Sequence, residues 1–432
     1  MHFIPVIYFA GLTYYLWQRR HSFDIAVYMS ALFTFTAICA AIMVGNGIMQ
    51  GQGGVLSDGW EPDLGFIPTV LYCVLVSITI LPFATLKIDK IEDITNNHKY
   101  VLFAFSLLIV VQGLLMYYLV GSTISDILNG DFKDLKNAGY AGEDTPTDVK
   151  MLTLPLPLRI LFYSSFLTTF GLPLFFFYTC IERKSIWLTF PLLLASASPI
   201  LRGIMSADRT EIIYYGLMFI FCIIFFRKKM TKAFKWFLTA VTIPVTVIGV
   251  IYVVSVSAAR FDENDEGASG SMLEYAGQSY VNFCYFYNNH DENLYYFERE
   301  LPITLLIVNK SQYTDTKEER TAKEGFFIGV FASHVGSWLL DTGIAGACII
   351  SCLFALLCFY VIKYYDRTVF DVSDLLLLFI LASVPLFGVF YYRFYNPNIA
   401  IQYLVAILYF VFSKFKFVFS SFDKKEDEKV TE

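Results

Sequence analysis

Charge is scarce in this chain. Asp, Glu, Lys and Arg make up 16 % of its 432 residues, against ~25 % in a soluble globular domain. That shortage, with 56 % hydrophobic residues and a mean hydropathy of +0.56, excludes a water-soluble enzyme of two or three domains. There is no basic excess: the net charge is −6, which argues against nucleic acid as a partner. Histidine is rare, with five in the chain, and no cluster has metal-ligand spacing. The eight cysteines include no CxxC pair. Seven of them, all except Cys284, lie in apolar runs where free cysteine acts as a small hydrophobe. A disulfide framework is therefore excluded. No basic stretch followed by a small-residue cleavage site opens the chain, so the first apolar run reads as a retained helix. Internal repeats and low-complexity tracts are also missing.

What is abundant is apolar runs of about 20 residues, the length that crosses a bilayer as helix. The pattern predicts an all-α integral membrane protein with about eleven spans. They lie near 3–17, 24–44, 66–86, 101–121, 160–181, 185–201, 208–226, 236–259, 338–362, 375–395 and 398–413. With the N-terminus outside, 19 of the 32 Lys and Arg fall in the cytoplasm, as positive-inside topology requires. The organisation that follows is helices 1–8 over residues 1–259, with an acidic outer loop at 122–159. A large extracytoplasmic loop over 260–337 comes next, with short amphipathic helices. Helices 9–11 follow over 338–413, then a charged cytoplasmic tail over 414–432. The aromatic stretch Met272–Phe286 suits a helix at the membrane surface or packed on the bundle.

The few polar residues at outer helix ends are the candidates for function. The turn Arg202-Gly-Ile-Met-Ser-Ala-Asp-Arg209-Thr-Glu211 sets two arginines and two acids at the outer membrane edge. Ionisable residues at that depth are costly, and guanidinium binds phosphate with a fixed fork at any relevant pH. The same turn also reads as a short loop of local ion pairs. Arg260 follows the eighth span, where it serves an anion or snorkels to headgroups. Ser333-His334-Val-Gly336-Ser-Trp338-Leu-Leu-Asp341-Thr-Gly343-Ile-Ala-Gly346 leads into the ninth span. His334 there is a general base or a structural residue. Tyr391-Tyr392-Arg393-Phe394-Tyr395-Asn396 forms the last outer turn, and its tyrosines fit both an interfacial belt and sugar stacking. Together these stretches point to a site for an anionic amphiphile at the outer leaflet.

Three of them also resemble the Wzy-type polymerases of O-antigen and capsular polysaccharide, which are related to the O-antigen ligase superfamily. They are the turn Ser206–Glu211, Arg260 with Tyr275-Ala-Gly277-Gln278-Ser-Tyr280-Val-Asn282, and the segment Ser333–Gly346. The paired Arg-then-Gly loops of some members are not clearly repeated here. The resemblance implies a GT-C-like fold in the bacterial cytoplasmic membrane, with its active site facing the periplasm. It implies glycosyl transfer between polyprenyl-pyrophosphate-linked oligosaccharides, without cofactor or metal. Membrane lipids, a chain-length regulator and a flippase are the implied partners. Arg202, Arg209, Arg260 and Arg393 would bind pyrophosphate, Tyr280 and Trp338 would bind glycan, and His334, Asp341 or Glu274 would act as base. A ligase-like glycan transferase and a polysaccharide flippase or transporter are the alternatives. The latter needs charge at mid-membrane, where this chain has almost none.

Overall fold

A computed structural model describes residues 1–46, 64–129, 153–205, 210–261, 267–290, 331–363, 368–396 and 399–414. The described chain is mostly helical, and seven of its helices are long and apolar enough to cross a membrane. These spans are Ile25–Gly45, Phe66–Lys90, Lys99–Gly121, Leu156–Cys180, Ile186–Gly203, Lys232–Ile251 and Ser333–Ile362. Shorter apolar helices cover Thr210–Phe226, Val372–Phe387 and Ile399–Lys414, and a further helix covers Ile4–Arg20. Helix thus falls on each of the eleven expected segments. Among the described residues, a pair of three-residue parallel strands, Asp93–Thr95 with Val369–Asp371, departs from the all-α pattern.

That strand pair gathers one end of the bundle. The two strands come from different basic connections, and Ile94 pairs with Phe370. Arg227 and Lys228 both reach Asp89, at 3.2 and 3.0 Å. Arg227 also donates to the carbonyl of Phe23, and Lys229 to that of Glu92. The connections expected to share a side therefore meet at one end. Local chemistry sets helix starts there. Asp24 caps Ile25–Gly45 by accepting from the Val27 N–H, and Asp371 and Asp374 form a capping box for Val372–Phe387.

The opposite end departs from expectation in three places. The helix expected over 375–395 ends at Phe387, after an internal Pro385, and 388–396 leaves it as a turn. The helix expected from residue 338 starts five residues earlier, at Ser333, and backbone bonds hold that start to the turn. Ser333 N–H donates to Phe390 O at 2.7 Å and His334 N–H to Gly388 O at 3.0 Å. The helix expected to end near 121 continues in backbone to Asn129.

The aromatic stretch of the large loop lies within Gly267–Asn289, and its second half is core, not surface. Tyr280, Val281, Phe283, Cys284 and Phe286 are all buried. A Cβ on Gly277 would stand 2.7 Å from the backbone nitrogen of Ala40. Only a residue without a side chain permits that approach of two helix backbones. The helix Ser333–Lys363 is interrupted at Gly343, with φ 70° and ψ −177°. That backbone region is essentially reserved for glycine.

Candidate polar site at the 388–396 turn

The site forms where the turn 388–396 meets the starts of Ser333–Lys363 and Thr210–Phe226. Arg393 is its centre. The side chain is 3 % exposed, and its Nη2 donates to both carboxylate oxygens of Glu211 at 2.6 Å. The Tyr214 ring lies under the guanidinium, 3.5 Å from carbon to centroid. Glu211 and Tyr214 are three residues apart, so one helix face supplies both contacts. Nε and Nη1 of Arg393 have no hydrogen-bond acceptor among the described residues. A buried donor left unmade costs about 1–3 kcal/mol, so these two N–H groups mark a place for an acceptor.

His334 lies behind this pair and is fully buried. Its Nδ1 faces the Gly388 carbonyl at 3.2 Å, and its Nε2 faces Thr79 Oγ1 at 3.1 Å. A carbonyl only accepts, so Nδ1 carries the proton in that contact. Both ring nitrogens are spent inside the bundle. This ring, expected as the leading general base, ties Phe66–Ile80 to the turn 388–396. Trp338 is likewise core, 2 % exposed and edge-on to His334 and Tyr392. Tyr280 is 2 % exposed, and its hydroxyl meets Thr69 Oγ1 at 2.7 Å. Both rings, expected to bind glycan, are buried in the bundle. Asp341 is fully buried, one turn beyond Ser337, whose hydroxyl accepts the Tyr392 N–H at 3.2 Å. Glu274 is half-buried on the loop helix.

Arg202 occupies a neighbouring cleft. Its Nη2 donates to Ser165 Oγ at 2.6 Å and to Phe162 O at 3.1 Å. The guanidinium also sits over the Phe162 and Phe166 rings. The cleft is a shallow, closely packed groove without room for a water molecule, lined by Met116, Ser165, Phe166, Ser198, Pro199 and Arg202. It therefore joins one cation and two hydroxyls to an apolar rim. Gln402, near the start of the last helix, donates to the carbonyl of the same Phe166 at 2.7 Å.

The structure thus brings His334, Trp338, Asp341 and Arg393 together and sets Arg202 on an adjoining helix. Arg209 lies outside the described residues. Arg260 ends the helix Lys232–Phe261, and only its backbone is described. Sequence reasoning missed Tyr214, Thr79, Ser165 and Gly388, and did not pair Glu211 with Arg393. The available signal was an acid three residues before a tyrosine at the head of an otherwise apolar helix. No known family, curated protein or solved structure matches the chain.

Proposed function

We propose that the chain is a membrane glycosyltransferase that polymerises lipid-linked oligosaccharide repeat units on the outer side of the cytoplasmic membrane. The observation that carries this reading is the Arg202 cleft, where a guanidinium and two serine hydroxyls meet an apolar rim. A polyprenyl pyrophosphate presents the complementary surface, an anion on an apolar tail. Arg393 supplies a second cation, this one buried, with N–H donors to fill.

In this reaction an acceptor sugar hydroxyl attacks the anomeric carbon of the growing glycan. A carbon–oxygen bond forms there as the bond to pyrophosphate breaks. The pyrophosphate leaves with the electron pair, and the hydroxyl proton passes to a carboxylate. Arg202 and Arg393 would stabilise charge that builds on the leaving group, favouring the transition state over the ground state. Asp341 or Glu274 would take the proton. The leaving group is stable as it departs, so the reading needs no metal.

The test is genetic and chemical. Deleting the gene should leave single lipid-linked repeats, detected by mass spectrometry, in place of polymer. Wild-type protein should restore chain length and Arg202→Ala should not. Normal chains in a deletion strain with no other polymerase would overturn the reading. Loss of capped single repeats along with the polymer would turn it to a ligase.

A further inference from the structure

We propose that Glu211 is an intramolecular competitor for Arg393 that displaces the pyrophosphate product after transfer. The inference rests on the reading of the outer end as a pyrophosphate-releasing transferase and names how that site turns over.

The argument starts from how the pair is made. Glu211 places both carboxylate oxygens on one nitrogen, Nη2, and leaves Nε and Nη1 without an acceptor among the described residues. The carboxylate therefore neutralises the cation without filling its donors. A buried guanidinium needs a counter-charge when no substrate is bound. Yet a counter-ion that satisfied every donor would hold the arginine against any incoming anion. Glu211 meets the first need and not the second. Its tether is the first turn of Thr210–Phe226.

The reaction's own chemistry supplies the reason for a competitor. The lipid-linked donor is a pyrophosphate diester, and the departing carrier is a pyrophosphate monoester with one more ionisable oxygen. A cation site without compensation binds the product more tightly than the substrate and stalls. Re-pairing of Glu211 with Arg393 gives the site an anion at high effective concentration, which favours release of the more highly charged species. Tyr214 remains stacked on the guanidinium in either state, so Arg393 has a fixed platform while its partner changes. Glu211 makes no bond to reacting atoms in this scheme. It sets affinity and release.

Purified full-length protein in detergent tests this with inorganic pyrophosphate as probe, by calorimetry. Glu211→Gln keeps the shape and removes the charge, and it should bind pyrophosphate on the order of tenfold or more tightly than wild type. Glu211→Asp keeps the charge on a shorter arm and should show a smaller gain. In the polymerase assay Glu211→Gln should give a first-turnover burst followed by slow turnover, a pattern that a purely structural ion pair does not produce. Unchanged or weaker pyrophosphate binding in both variants, with Arg202→Ala still reducing binding to the wild type, overturns the competitor role alone. Absence of binding to wild type and variants alike overturns the transferase reading with it.

Discussion

The ring of His334 and the backbone of Gly388 are in direct contact, and the fit admits no Cβ. Nδ1 meets the Gly388 carbonyl at 3.2 Å, and a Cβ built on Gly388 would collide with the same ring and with the Val384 carbonyl. Gly388→Ala should therefore displace the His334 ring or the turn, at a cost of about 1–3 kcal/mol. Thermal unfolding in detergent measures it. A melting temperature equal to wild type would show that the turn yields without strain.

Gly277 gives a second packing prediction with an internal control. A Cβ there stands 2.7 Å from the nitrogen and 2.8 Å from the Cα of Ala40, both backbone atoms. Gly277→Val should separate the loop helix from Ile25–Gly45 and lower the melting temperature. Gly11 has nothing within 4 Å of its added Cβ. Gly11→Ala should leave stability unchanged or raise it by about 0.4–1 kcal/mol, through reduced freedom of the unfolded chain.

How far the sequence carried the reading depends on the kind of signal. Apolar runs mark helices because a bilayer demands them, and all eleven segments are helical. The caps Asp24 and Asp371 went unread, although an acid just before an apolar run is a legible helix-start signal. Tertiary choices were not. Trp338 and Tyr280 carry polar atoms and interface character, so sequence placed them at a sugar. The fold buries Trp338 among His334, Phe354 and Tyr392, and Tyr280 against Tyr72 and Thr69, contacts between elements distant in sequence. His334 read as a general base or a structural residue, and its partners, Thr79, 255 positions away, and a backbone carbonyl, leave no spacing signal to decide between them. The partner of Arg393 is 182 positions distant, beyond any spacing rule. Arg202 was legible as a cation, whereas the serines and phenylalanines that make its cleft were not.

The expected orientation predicts accessibility. Lys184 lies in a short basic connection and Thr153 in the acidic outer loop. In a chain cleared of native cysteines, Lys184→Cys should resist an impermeant maleimide in intact cells and react after lysis. Thr153→Cys should react in both. The reverse pattern would move the polar site to the cytoplasmic face and remove the reading of an outer-leaflet transferase.

The ion pair of Arg393 and Glu211 separates fold from activity. Removing one partner leaves a buried charge uncompensated, which costs about 3–5 kcal/mol in comparable pairs. Arg393→Met and Glu211→Met alone should each lower the melting temperature by that route. The double variant removes both charges and fills the space with apolar atoms, so it should melt higher than either single variant. Recovery of stability follows because the penalty belongs to the unpaired ion and not to the missing bond. Polymer formation should not recover with it, since the donors Nε and Nη1 are gone along with the charge. A double variant that is both stable and active would remove Arg393 from the pyrophosphate site and leave the pair as a structural tie between Thr210–Phe226 and the turn 388–396.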